Sequence, residues 1–235
     1  MSLVPLLKPG VTIYRSGNFA RGTFTCFVRK PEVRSALYGV TGKHVLPQGE
    51  TCILCDNDPE TGKIDQLNIG DNPTHIPNMD FTYFEIYAGI RQQLTANNFI
   101  PRGCDVEPLQ VWDSSKIVEK VEKAPSADRA TELQLKIMPV KFVGATQAST
   151  GNVVTHGGLQ KYSPDGVANI NETSVAAGDS GGCVLDATGL RYAGLISRGN
   201  GGERSAKSGI VLLLHKPLMQ AGLVLATWAD RPHWL

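Results

Sequence analysis

From residue 23 to residue 214 the chain is written as short apolar and β-branched runs, each cut off by glycine, proline or a cluster of Asn and Asp. That punctuation constrains the fold more than any single motif, because a core helix needs a longer unbroken apolar stripe. Gly 25 and Pro 14 together make 39 of 235 residues, which favours many short strands over a helical bundle. The length suits one large all-β or α/β domain, or two small ones. Lys plus Arg number 23 against 22 for Asp plus Glu, so the formal charge of +1 leaves no basic face for nucleic acid or an anionic membrane. No stretch approaches the roughly 18 continuous apolar residues of a membrane span. The opening Met1-Ser2-Leu3-Val4-Pro5 does not read as a secretory signal.

Residues 1–18 read as an N-terminal arm ending in a turn at Ser16-Gly17-Asn18. A first β unit is expected over 19–112. Its strand candidates are 23–28, closed by Pro31, the run 35–45 that delivers His44, the run 51–55, and the aromatic run 79–87 with Asp80 at its entrance. The Asp-, Asn- and Pro-rich stretch 65–78 reads as loop. Residues 113–131 are the most charged part of the chain, with Ile117, Val118 and Val121 spaced for one helical turn and Pro125 as a breaker, and they read as a connector. A second β unit over 132–222 begins with Leu133, Leu135 and Ile137 alternating against Gln134, Lys136 and Met138. It continues through 153–155, 184–185, 192–196 and 209–214, and closes on a short helix at 216–222 with Pro217 in its first turn. Residues 223–235 form a C-terminal tail.

Cys26, Cys52, Cys55, Cys104 and Cys183 make an odd set without disulfide-scaffold spacing, which points to a reducing, intracellular setting. Cys52-Ile53-Leu54-Cys55 reads as two strand cysteines, since no second ligand pair of suitable spacing follows. No metal or cofactor is expected.

The chemistry centres on Ala177-Gly178-Asp179-Ser180-Gly181-Gly182. Glycines beside Ser180 open backbone conformations in which amide N–H groups converge on one point, as an oxyanion hole requires, and Gly178 and Ser180 are the candidate donors. A serine is a weak nucleophile near neutral pH unless a histidine takes its proton and a buried carboxylate holds that ring. His44 and Asp80 are the candidates, and the order His44, Asp80, Ser180 is that of one known triad arrangement. His156 lies in a strand candidate of the second unit, where packing or surface duty is the simpler reading.

The run Gly178-Asp179-Ser180-Gly181-Gly182 resembles the nucleophile motif of trypsin-like (chymotrypsin-like) serine proteases. Thr41-Gly42-Lys43-His44-Val45 resembles their strand-to-histidine segment, and Asp80 before an aromatic strand is similar to the family's acid position. Gly194-Leu195-Ile196-Ser197-Arg198-Gly199 resembles the wall of the primary specificity pocket, with Ser197 matching the serine that supports the acid. The resemblance implies an all-β fold of two antiparallel six-stranded barrels with the site in the cleft between them. It implies a serine endopeptidase working through an acyl-enzyme on a polypeptide substrate.

By the same resemblance Ser174, six residues before Ser180, forms the pocket base, with Ile196, Ser197, Arg198, Gly199 and Gly209 along its walls. Ser174 offers no charge for Lys or Arg, so an uncharged P1 side chain is expected, with Arg198 leaving an acidic one as the minority alternative. Secreted zymogens of the family pair the acid before the serine with a freshly cut apolar N-terminus, and the start of this chain does not match one. Asp179 is therefore expected to use another partner or none. The chain looks most like the polyprotein-processing proteases of positive-strand RNA viruses, so its own precursor, in cis or trans, is a candidate substrate and the host cytoplasm a candidate location. In that case the tail is expected near the cleft.

Two other readings stay open. One is a protease-like scaffold kept for binding. The other is an α/β-hydrolase elbow at Gly178-x-Ser180-x-Gly182, which needs Asp186 or Asp230 with His215 or His233, and a helix directly after the serine.

Overall fold

A computed structural model describes residues 2–18, 20–57, 64–113, 135–145, 148–156, 167–199 and 205–235. The first sheet collects β1 (Thr12–Arg15), β2 (Arg21–Thr23), β3 (Cys26–Arg29), β4 (Tyr38–Thr41), β5 (Cys52–Asn57), β6 (Ile64–His75) and β7 (Thr82–Ile86) in the order β3-β4-β7-β6-β5-β1-β2. The run expected as one strand at 23–28 is bent at Phe24 and Thr25, which separate β2 from β3. Phe24 N–H donates to Val11 O at 3.0 Å and Thr25 N–H to Val40 O at 2.8 Å, so the bend bonds to both ends of the sheet. The bent ribbon thereby serves as first and last strand, and the sheet closes into a six-stranded barrel.

Two expectations for this region are corrected. The stretch 65–78, expected as loop, contributes most of β6, because its polar residues occupy the wet face of a half-buried strand. Leu67 and Ile69 pack on the core while Gln66 and Asn68 face out. Its turn formers are absorbed where the register with β7 shifts between Asp71 and Thr74, with Asn72 at φ 54°. The N-terminal arm is instead part of the barrel: β1 pairs with β2 and β5, and Leu3, Val4 and Leu7 enter the core. Asn98 holds it there, its side-chain amide donating to Val4 O and Leu7 O at 2.8 Å each.

The second sheet is built from β8 (Gln110–Val111), β9 (Leu135–Val143), β10 (Ala148–His156), β11 (Val167–Ala176), β12 (Cys183–Asp186), β13 (Arg191–Gly199) and β14 (Ser205–Leu213). β12 pairs with both β9 and β13, closing the order β12-β9-β10-β11-β14-β13 into a second six-stranded antiparallel barrel, while β8 lies parallel on the outside of β13. Phe142, Val184, Ala193, Ile196, Val211 and Leu213 fill its core. Of the expected connector, residues 114–131 lie outside the described residues. A short helix, His215–Ala221, follows β14 and ends on Gly222 in the left-handed region.

The barrels meet through a shared apolar cluster in which Cys26, Val28, Val40 and Tyr83 of the first pack with Val143, Cys183, Leu195 and Leu212 of the second. β15 (Val224–Leu225) then returns to the first barrel and pairs with β3. The tail, expected near the cleft, is anchored elsewhere: Trp234 is fully buried against Phe99, with ring centroids 5.7 Å apart. An aromatic ring of that size is held where apolar neighbours surround it, and Phe27, Phe99 and Trp228 supply them.

Candidate active site

His44 sits in the turn that ends β4, where Val45 N–H and Leu46 N–H both donate back to Gly42 O. Asp80 stands just before β7, in a turn closed by Met79 N–H to Ile76 O. β4 and β7 are hydrogen-bonded neighbours, so strand pairing alone brings the two residues together. His44 Nδ1 lies 2.8 Å from Asp80 Oδ2 and 2.9 Å from Oδ1, and His44 N–H donates to Oδ1 at 3.1 Å. An ionised carboxylate only accepts, so Nδ1 carries the proton and Nε2 is left as the basic nitrogen of the neutral ring. Ser197 O–H gives Asp80 Oδ2 a further short bond of 2.6 Å. Burial pushes the Asp80 carboxyl up, but the bonds from His44 and Ser197 and the electrostatic attraction between His44 and the carboxylate outweigh it, and the group is held below the ordinary Asp value.

Ser180 belongs to the turn between β11 and β12. Asp179 N–H donates to Ala176 O at 3.1 Å across Ala177 and Gly178, and Gly178 has φ 102°, the second central position of a type II turn. Gly181 follows at φ 86° and seats against Thr23 O, leaving no room for a Cβ. Among the described residues, neither Gly178 N–H nor Ser180 N–H donates to a protein acceptor. Ser180 O–H donates to Ser197 O at 3.3 Å, rather than to His44. Ser197 thus joins the two halves, its hydroxyl on Asp80 and its carbonyl on Ser180.

Sequence reasoning missed what holds this turn. Thr23 N–H donates to Ser180 O at 2.7 Å, Thr23 O–H to Gly178 O at 2.8 Å, Thr25 O–H to Gly181 O at 2.6 Å and Arg21 Nη2 to Ala177 O at 3.0 Å. All three residues belong to the bent ribbon of the first barrel, where Thr23 and Thr25 signal only β propensity. The buried Asp179 accepts a bond from Ala176 N–H at 2.9 Å, and its other carboxylate oxygen lies against Gly144.

The specificity-pocket candidates fall on neighbouring strands. Gly199 pairs with Gly209 between β13 and β14, Arg198 stands opposite Ile210, and Ser174 lies on β11 where its register with β14 shifts. Ile196 is fully buried and packs with Val175, Val184 and Val211. The candidate His156 ends β10. Beside His44, a cavity of about 500 Å³ is lined by Lys43, Pro47, His75, Asn78 and Met79. Cys52 and Cys55 share β5 three residues apart, which turns them to opposite faces. All five cysteines carry free thiols. Among the described residues no group of three His, Cys, Asp or Glu side chains is placed to hold a metal, and no helix is long and apolar enough to cross a membrane.

No protein-family model and no curated protein sequence matches the chain. Among solved structures it is similar to Thermobifida fusca protease A, at 18% identity over 94% of this chain and 98% of that one with a TM-score of 0.59. It is similar to the Nocardiopsis protease NAPase, at 15% identity over 94% and 99% with a TM-score of 0.59. The chymotrypsin of Cellulomonas bogoriensis aligns at 17% identity over 94% and 98% with a TM-score of 0.56. The chain therefore has the chymotrypsin-like double-barrel fold. The elbow alternative fails with it, since Ser180 leads through a turn into strand β12 and not into a helix.

Proposed function

We propose that this protein is a serine endopeptidase. The observation that carries the reading is Ser197 bonded at once to Asp80 and to Ser180, which sets a His44–Asp80 pair and a glycine-framed serine around one residue. In this scheme Ser180 O–H turns from Ser197 O to His44 Nε2, which takes its proton as Oγ attacks the scissile carbonyl. The developing oxyanion is met by Gly178 N–H and Ser180 N–H. Asp80 holds the imidazolium, which then protonates the leaving amine, and an acyl-Ser180 ester is left. Water, deprotonated by the same ring, releases the carboxylic acid and restores the serine. Removing one oxyanion donor typically costs about two to three powers of ten in rate, so the turn matters as much as the triad.

The test is covalent labelling by a fluorophosphonate probe. Labelling is expected on Ser180, abolished in Ser180→Ala and strongly slowed in His44→Ala. An intact protein that does not label overturns the reading and favours the binding scaffold, for which the orientation of the Ser180 hydroxyl toward Ser197 O is the supporting observation.

Within this reading the preferred P1 side chain is uncharged, supported by the place of Ser174 in the resemblance, and a peptide library that returns Lys or Arg refutes it. Processing of a viral polyprotein in a reducing intracellular compartment is the further proposal, supported by the same resemblance and by five free thiols. A longer precursor that is not processed, or is processed equally after Ser180→Ala, rules out self-cleavage.

A further inference from the structure

A trans peptide points its C=O and its N–H in opposite directions, so whatever grips the carbonyl aims the amide. Both candidate oxyanion donors are presented in this way. The peptide carrying Ser180 N–H is held by its own carbonyl, Asp179 O, which accepts from Gly182 N–H at 2.7 Å within the turn. The peptide carrying Gly178 N–H is held through Ala177 O, and the donor there is a side chain from the other barrel, Arg21 Nη2 at 3.0 Å. Arg21 also lies along Gly178, its Nε 2.7 Å from where a Cβ would stand.

The central peptide of a four-residue turn has two orientations about half a turn apart, types I and II, and both keep the closing hydrogen bond. Glycine at the second central position accepts either. The Asp179 N–H bond to Ala176 O therefore does not choose between them. In the other orientation Ala177 O would replace Gly178 N–H at the site.

We infer that Arg21 is the latch of the oxyanion peptide: its bond to Ala177 O selects the orientation that turns Gly178 N–H toward the reacting carbonyl. Arg21 is a positioning residue, since it acts through the Ala177–Gly178 peptide. The inference rests on the endopeptidase reading for its kinetic consequence but not for its structural one. Thr23, bonded to the next carbonyl along at Gly178 O, steadies the turn as a whole.

Arg21 is exposed, so its replacement spares the core. Arg21→Ala is expected to lower kcat roughly tenfold, the worth of one charge-assisted hydrogen bond, with KM nearly unchanged. Affinity for a peptide boronate or aldehyde should fall in parallel with kcat/KM. Arg21→Lys, which keeps a cationic donor, should recover most of the loss. The second readout needs no turnover: in the Ser180→Ala background, Arg21→Ala should move the Gly178 amide resonance in a nitrogen-correlated NMR spectrum, and Arg21→Lys should bring it back. A Gly178 resonance that does not move, or a kcat that does not fall in a protein labelled at Ser180, overturns the latch. If the wild type is not labelled while the Gly178 resonance does move, the latch stands and the endopeptidase reading falls.

Discussion

Thr23→Val is the sharpest single test of how the barrels hold the nucleophile turn. Valine matches threonine in shape and removes only the hydroxyl, at a residue that is fully buried. That hydroxyl donates to Gly178 O at 2.8 Å and accepts from Ala145 N–H at 3.0 Å, so the substitution strands one acceptor and one donor on the second barrel. Each stranded buried group costs about 1–3 kcal/mol, and because both bonds are part-buried the lower half applies, for a sum of about 2–4 kcal/mol. In a chain of this size that lowers Tm by roughly 4–16 °C. The main-chain bonds of Thr23, to Ser180 O and from Thr41 O–H, are untouched, so the fold and the urea m-value should persist. Thr23→Ser keeps both hydroxyl bonds and gives up one methyl, for about 1 kcal/mol. Urea unfolding of the three proteins decides the matter. A valine variant no less stable than the serine variant refutes the argument, because the ranking follows from the hydroxyl alone. Combined with Arg21→Ala, which loosens the adjacent carbonyl, the losses should be non-additive.

Gly181→Ala should cost about 2–5 kcal/mol in urea unfolding, since alanine at φ 86° is strained and its Cβ would run into Thr23 O and Thr41 Oγ1. A variant of wild-type stability would mean that the turn does not rest on β2. Asp80, held below the ordinary Asp value, binds its proton more weakly folded than unfolded, so its contribution is full above that value and fades as pH falls through the lowered one. Below about pH 4 the wild type should therefore lose stability more steeply than Asp80→Asn, and parallel acid titrations by circular dichroism would contradict this. Trp234→Ala should cost about 3–5 kcal/mol and Trp234→Phe much less, because phenylalanine keeps the contact with Phe99 and discards a buried Nε1 that has no hydrogen-bond partner among the described residues. Equal losses would show that the indole nitrogen, not the ring, is what the site holds.

What the sequence revealed and what it hid divide along physical lines. The end of β14 is legible because Val211, Leu212, Leu213 and Leu214 are all buried, so both faces of the strand are covered and an unbroken apolar run survives in the residue order. The meeting of His44 with Asp80 is legible because each stands beside the end of a readable strand, β4 and β7, and those strands pair. β6 was hidden because its Asn, Asp and Pro residues are turn formers by composition, yet here they face solvent or sit at a bulge. The tail was hidden because Trp228 and Trp234 carry no periodicity, and only the aromatic cluster around Phe99 shows where they go. Arg21, Thr23 and Thr25 left no signal, since their partners are main-chain carbonyls about 155 residues away.

Those carbonyl contacts matter because of what an apolar interface cannot do. The cluster that joins the barrels through Val40, Tyr83, Leu195 and Leu212 is driven by burial, which is non-directional: it resists separation but tolerates small slides and rotations. The proposed peptidase site, with His44 and Asp80 on one barrel and Ser180 on the other, needs orientation held far more tightly than that, because in catalysis a displacement of about 1 Å is enough to cost two powers of ten. Directional bonds supply the difference. Thr23, Thr25 and Arg21 bond to four successive or near-successive groups of the turn, at Ala177 O, Gly178 O, Ser180 O and Gly181 O, and Ser197 ties Asp80 back across the same cleft. Enlarging an apolar side chain in the shared cluster should therefore change unfolding more than turnover, while removing any one of these polar contacts should change turnover more than unfolding would suggest. The bent ribbon of residues 21–29, which closes the first barrel, also sets the register of the second against it.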